Sequence, residues 1–205
     1  MTASSLHEIG RVKLLQIQRA SLKAGERPHR YYDPAPLLAV EQLLLTPNGC
    51  VGALPDGERQ IDVHHAGHPE SKNRRGLNGI SIGFTGHYRR MREQFGEHLA
   101  DGVAGENILI EAEQSFALDD LGDAIVIRCA DGSFAHLGDL LVAAPCVEFS
   151  RFAHLGGDPL TSDELRATLQ FLDNGRRGFY ARLVEGPLEA PLRLGDRVFV
   201  LRRHA

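Results

Sequence analysis

What this chain lacks narrows its chemistry before any motif is read. Cysteine is scarce, with three residues in 205, at positions 50, 129 and 146, an odd number containing no C-x-x-C pair. That pattern builds no disulfide framework and leaves free thiols, as expected in a reducing cytoplasm. No apolar run approaches the roughly 20 residues that cross a bilayer. The first residues, Met1 to Glu8, have neither the charged start nor the apolar core of a signal peptide. A soluble cytoplasmic protein is therefore expected. An excess of positive charge is missing too. A formal net charge of −4 argues against nucleic-acid or anionic-membrane partners, because those depend on a summed positive field.

The chain does have an ordinary core supply, with 42% apolar residues, and nothing in it reads as a linker, so one domain over residues 1–205 is expected. Its charge is unevenly spread. From Ser71 to Arg92 there are six cations and no acid, whereas Glu93 to Ile127 holds nine acids and no Lys or Arg. A local anion site is one reading of the first stretch; a solvated surface paired with the second is the other.

Hydrophobic patterning is mostly that of strands. Val12 to Ile17, Leu43 to Leu45, Ile108 to Ile110, Ala124 to Ile127, Leu140 to Ala143, Phe179 to Val184 and Val198 to Leu201 read as short strands. Thr46 to Gly49 reads as a turn. Arg59 to His65 alternates Ile61, Val63 and His65 against Gln60, Asp62 and His64, the period of a half-buried strand. Ala66 to Gly86 has five glycines and no clear period and reads as a long, functional loop.

Two helices are expected. One starts at Thr85, with Tyr88, Met91, Phe95 and Leu99 on one face and Asp101-Gly102 as its stop; the other spans about 163–173, with Thr161 and Glu164 as a capping box. The triplet Leu-Gly-Asp recurs at 121–123, 137–139 and 194–196 and reads as tight turns into strands. Many short strands and few helices suggest a mainly β fold, a closed or partly open β-barrel with two or three peripheral helices, since closure removes exposed edges.

Three segments resemble the MOSC domain, named for the C-terminal region of molybdenum-cofactor sulfurases. They are Gly102 to Ile110, similar to a G-x-x-G-E-N-[LI] stretch; Ala144-Pro-Cys146, similar to a Pro-Cys pair at a strand end; and Arg177 to Gly186 leading to Leu194-Gly-Asp196, similar to a closing G-[FWL]-Y-A-x-V…G-D pattern. The resemblance runs from about residue 50 to 201. It implies a β-barrel that binds the molybdenum cofactor (molybdopterin) and acts in sulfur transfer to it, or in redox chemistry at a Cys-ligated molybdenum centre. A sulfur-donor or redox protein would be its partner. The sequence departs from the family at His64 to Arg75, where many members carry H-G-G-x-[DE]-[KQ]-A-V.

Individual residues follow from this reading. Cys146, after Pro145, is the candidate nucleophile and metal ligand, because a thiolate both carries sulfur and binds soft metals; the alternative is an inert buried cysteine. Cys50 and Cys129 are expected to be structural. Arg74, Arg75 and Arg89 are candidates for a ligand phosphate, since arginine forks match phosphate oxygens. Glu106 and Asn107 are candidate catalytic residues, Asn107 also a cofactor contact; a turn-stabilising role is the alternative.

His65 and Tyr180 are further candidate cofactor contacts. His64, His65 and His68 leave a metal-dependent hydrolase open, although their spacing matches no common zinc motif. A non-catalytic pterin-binding or partner-binding module is the third class. The only lysines are Lys13, Lys23 and Lys72. A Schiff-base lysine in a separate domain has no room here, so no pyridoxal phosphate is expected. The sequence fixes no oligomeric state.

Overall fold

The computed structural model describes residues 4–73, 76–154 and 160–203. In chain order the strands and helices are β1 Ser4–Gln18, β2 Lys23–Ala24, β3 Tyr31–Tyr32, β4 Leu37–Ala39, β5 Gln42–Thr46, β6 Gly49–Ala53, β7 Arg59–Ile61 and β8 Ile80–Phe84. Helix α1 Thr85–Phe95 follows, then β9 Ile108–Glu111, a 3-10 turn Leu118–Leu121, β10 Ala124–Arg128, β11 Phe134–Val142, α2 Val147–Ala153 and α3 Ser162–Leu172. The chain ends with β12 Phe179–Glu185, β13 Ala190–Arg193 and β14 Arg197–Arg203.

Seven strands close into a barrel in the order β14-β10-β11-β12-β8-β9-β1, with the β1–β14 ladder sealing the ring. Closure leaves no exposed barrel edge to recruit another chain. Strand β1 is 15 residues long and serves three neighbours, the last of them β4, where Gln16 to Gln18 face Ala39 to Leu37. Its first half pairs with β14, from Ser4 opposite Arg203 to Arg11 opposite Arg197, and its second half pairs with β9, down to Leu15 opposite Ile108. The β8–β9 pair is parallel, Ile82 facing Ile108, and α1 supplies the crossover that a parallel pair requires. A second sheet, β13-β5-β6-β7, lies beside the barrel.

The expected mainly β barrel with peripheral helices is the observed fold, with three α-helices among the described residues. Several elements escaped the sequence reading: the short strands β2, β3, β4, β6 and β13, together with β8 and α2. Strand β8 lies inside the stretch expected to be a loop, and α2 begins right after Cys146. The capping box at α3 forms as expected: the Glu164 backbone N–H donates to Thr161 Oγ1 at 3.3 Å, and the Glu164 carboxylate accepts from the Thr161 backbone at 2.8 Å.

Helix α1 ends at Phe95 rather than near Asp101, and Thr85 is not its cap. Its hydroxyl instead donates to the Ala112 carbonyl at 2.8 Å, tying the crossover to the barrel. Of the three Leu-Gly-Asp triplets, the first and last are turns, with Gly122 and Gly195 at φ 63° and 85°. The middle one lies within β11 and forms a bulge, with Asp139 at φ 51° and the register slipping between Gly138 and Leu141.

Apolar side chains divide into two clusters. Leu15, Ile17, Leu45, Ile82, Phe84, Ile125 and Phe179 fill the barrel side. Tyr32, Tyr88, Met91, Leu99, Phe149 and Leu172 form a separate layer where the helices and the β2–β3 arm meet the outside of the barrel. The functional candidates gather between these two layers.

Candidate functional site

The stretch 102–107 is built onto β1 by glutamine side chains. Gln16 Nε2 donates to the carbonyls of Gly102 and Glu106 at 2.7 and 2.8 Å, and Gln18 Nε2 donates to Gly105 O at 2.7 Å. Gly105 sits at φ +93°, and a Cβ there would lie 2.6 Å from Leu22 Cδ1, so the turn accepts only glycine. This pinned turn delivers Glu106 to the floor of a cavity of about 330 Å³.

The cavity wall includes Cys146, Glu106, Tyr180, His64, Tyr32 and four cations, Lys23, Arg30, Lys72 and Arg177. These come from the β2–β3 arm, the loop after β7, the 102–107 turn, the β11–α2 connection and the start of β12. Four positive side chains face one lining carboxylate, so the local field opposes the chain's net negative charge. Among the described residues, the Nε atom of Arg177 is buried without a hydrogen-bond partner. A buried donor left unpaired costs about 1–3 kcal/mol, and an anion in the cavity would recover that cost.

Arg177 donates through Nη2 to the Ala104 carbonyl at 3.1 Å and lies over the Phe149 ring at 5.5 Å. Burial opposes its charge, but Tyr180, Tyr32, Cys146 and Glu106 together outweigh burial and hold the guanidinium firmly protonated. Arg30 Nε lies 3.2 Å from the Glu148 carboxylate and Lys23 Nζ 3.6 Å from it. Burial works against ionisation of Glu148, yet its own backbone N–H, the two cations and the Cys146 thiol keep its carboxyl below the usual range. Glu148 thus holds both cations in place at the cavity rim.

Glu106 is almost fully buried, at 4% exposure, and burial pushes its carboxyl above the usual value even though the Tyr88 hydroxyl donates to it at 2.7 Å. Tyr88 O also accepts from the Ala104 backbone N–H at 2.9 Å, so the phenol is spent on the turn. Gly83 makes room for the carboxyl: a Cβ there would meet Glu106 Oε1, Cγ and Cδ at 2.7 to 2.9 Å.

The structure brings together Cys146, Glu106 and Tyr180, and leaves other candidates outside. Asn107 is 1% exposed and does not line the cavity. Its Oδ1 accepts from the Ser81 hydroxyl and backbone at 2.8 and 3.0 Å, and its Nδ2 donates to Asp62 and to the Gln16 carbonyl at 2.9 and 3.2 Å. Those bonds satisfy the amide, which cross-braces β1, β8 and the 102–107 turn. Arg89 donates to the Glu113 carbonyl from an exposed position on α1, away from the cavity wall. Arg74 and Arg75 lie outside the described residues.

The Arg59 to His65 stretch is not one strand. Strand β7 stops at Ile61, because Asp62 turns the chain by accepting the His64 backbone N–H at 2.7 Å. His64, not His65, therefore reaches the cavity. His65 Nδ1 accepts from the Gly67 backbone and His68 Nδ1 from the Glu70 backbone, both at 3.1 Å, so both rings serve local turns. Burial holds the His65 ring below the usual imidazole value. Among the described residues no three His, Cys, Asp or Glu side chains are placed to hold a metal ion.

Cys50 and Cys129 are buried, and burial pushes both thiols above the usual value. Cys146 is partly exposed at the cavity. The cations Lys23, Arg30 and Arg177 were not singled out in the sequence, since no local motif links three residues so far apart in the chain.

No protein-family model matches the sequence, and no curated protein matches it. Solved structures do. The YuaD protein from Bacillus subtilis superposes with a TM-score of 0.58 over 100% of both chains at 13% identity. A protein described as hypothetical superposes with a TM-score of 0.52 over 94% of this chain and 68% of its own, at 11% identity. The chain thus shares the barrel fold of YuaD, with a cationic, thiol-bearing cavity between the barrel and its helices.

Proposed function

We propose that the chain binds a molybdenum–pterin cofactor in this cavity, with Cys146 serving either as a thiolate ligand to the metal or as the carrier of a sulfur atom for it. The observation that carries this reading is the meeting, in one cavity of about 330 Å³, of a partly exposed thiol and four cations. Cavities of this size suit drug-sized ligands, which occupy about 300–1,000 Å³. The donor set fits the group. A phosphate-bearing pterin brings negative charge to Lys23, Arg30, Lys72 and Arg177, the last of which has an unpaired buried Nε. A soft metal prefers a thiolate.

When bound, the cofactor would supply a metal centre able to exchange electrons with a substrate, such as an N-hydroxylated compound. The chain's own residues do the rest. The cations orient the anion, and Cys146 presents its sulfur on the same cavity wall. Glu106, whose ionisation burial disfavours, places its carboxyl group on the same cavity wall. Tyr32 and Phe179 close the apolar side of the wall and exclude water.

The test is analysis of freshly purified protein from cofactor-producing cells, wild type against Cys146→Ser. Molybdenum and a fluorescent pterin in near-stoichiometric amounts, both lost in Cys146→Ser with the fold unchanged, support ligation. A cyanide-labile sulfur mapped to Cys146 supports the carrier role. Full cofactor retention in Cys146→Ser would refute the assignment of the thiol.

A further inference from the structure

His64 has no place in that reading, yet its surroundings are the most tightly specified in the cavity wall. Its partner Asp62 is fully buried, at 0% exposure, and a carboxylate there survives only if its lone pairs are used. They are. Asp62 Oδ2 accepts from the Gln18 backbone N–H at 2.6 Å and from Asn107 Nδ2 at 2.9 Å, while Oδ1 accepts the His64 backbone N–H at 2.7 Å and faces His64 Nδ1 at 3.1 Å. The Asp62 side chain cannot rotate without breaking this set.

An acceptor held against Nδ1 fixes the tautomer of a neutral imidazole: the proton sits on Nδ1, and Nε2 carries the lone pair. Among the described residues the ring's only hydrogen bond falls on Nδ1, and the residue lines the same wall as Cys146. The Tyr180 ring stands 6.3 Å away, centroid to centroid. Every other charged group on the wall except Glu106 is a cation. The cavity therefore offers many donors and, in His64 Nε2, an oriented neutral acceptor.

We propose that His64, oriented by Asp62, is the proton acceptor of this cavity, and that its ligand is an anion that also carries an N–H or O–H group directed at Nε2. This inference rests on the cofactor reading for the identity of the cavity as a ligand site. The ligand's hydrogen is shared with Nε2 in the bound state. Where the ligand reacts, that proton passes to Nε2, leaving an imidazolium offset by the Asp62 carboxylate and a ligand with one more negative charge facing Lys72 and Arg177. Asp62 acts through His64 and is a positioning residue.

The experiment uses the full chain labelled with nitrogen-15 at histidine and titrated with pterin-6-carboxylate, a fluorescent anion bearing N–H donors. In the free protein at neutral ring charge, the expected spectrum shows His64 protonated on Nδ1 and bare on Nε2. On binding, the Nε2 resonance moves towards the hydrogen-bonded value. His64→Phe, which keeps an aromatic ring of similar size, should bind the probe about tenfold more weakly, the scale of one lost hydrogen bond. Asp62→Asn should mix the tautomers while His64 still folds into the wall.

Two results would overturn the proposal: a bare Nδ1 with the proton on Nε2 in the free protein, or probe binding that leaves Nε2 unmoved and His64→Phe at full affinity. Failure of the wild type to bind the probe at all would overturn the pterin reading and this inference with it. Binding with Nε2 unmoved overturns this inference alone.

Discussion

Cys50 and Cys146 are the same residue in two settings of one molecule. Cys50, on β6, is packed at 0% exposure among Leu45, Ile17 and other aliphatic side chains of the barrel cluster. Burial holds its thiol far from ionisation, and the buried carboxylate of Asp62 adds to that effect. Cys146 borders the helical cluster and opens onto a cavity with Lys23, Arg30 and Arg177. The contrast shows that reactivity here is assigned by the surroundings. A dry barrel interior stabilises the fold, and the seam between barrel and helices concentrates charge for a ligand.

The largest expected effect is on thiol chemistry. Iodoacetamide should label Cys146 in the native protein at least about a hundredfold faster than Cys50, because reaching Cys50 requires an opening that costs several kcal/mol. Peptide mapping of a time course reads the two rates, and comparable rates would erase the contrast. Next comes the charge of the seam. Replacing Lys23 and Arg30 together by glutamine should weaken pterin-6-carboxylate by about tenfold or more, since hydrogen bonds to charged groups contribute roughly 1.5–3 kcal/mol each, and should flatten the salt dependence of binding. Unchanged affinity with an unchanged salt slope would remove the anion site.

A smaller effect comes from Glu106. Its folded-state carboxyl is raised by burial, so the native state keeps a proton that the unfolded chain releases. The stability this contributes is present below the ordinary carboxylate range and is lost as pH rises through the folded value. Glu106→Gln should therefore gain stability relative to the wild type as pH rises from 4 to 8, measured by urea unfolding. A difference that stays flat with pH would contradict the raised value. Smallest of all, Arg89→Ala should change stability by less than about 0.5 kcal/mol and leave probe binding untouched, because that guanidinium is exposed and remote from the cavity wall.

The barrel was legible where a strand carries an uninterrupted apolar run, as β9 and β10 do, or alternates, as β14 does. Strands β9, β10, β12 and β14 all carry apolar residues in runs or at alternate positions. Strand β8 was hidden because all five residues, Ile80 to Phe84, are buried, so no alternation appears, and glycines before, within and after it suggest a loop. Helix α2, with seven residues, is too short to display a helical period. The alternation through His65 misled because Asp62, whose side chain caps the turn, ends β7 at Ile61.

Of the candidate site, Cys146, Glu106 and Tyr180 were legible through the Pro-Cys pair, the turn at Gly105 and the strand that follows Gly178. The anion-binding arginines were not. A run of cations from Lys72 to Arg92 is close in sequence, but α1 turns Arg89 outwards. Of that run Lys72 lines the cavity, and the other cations of the wall, Lys23, Arg30 and Arg177, come from distant parts of the chain. The sheet order β12-β8-β9-β1 brings those segments together.

Cys146 faces a cavity lined by four cations, and comparing its alkylation by iodoacetate and by iodoacetamide at low and high salt reads that charge. At low salt the anionic reagent should gain on the neutral one by on the order of tenfold relative to a free thiol, as expected for a cationic cleft, and the gain should shrink as salt screens the cations. An iodoacetate to iodoacetamide rate ratio equal to that of a free thiol at every salt concentration would contradict the account.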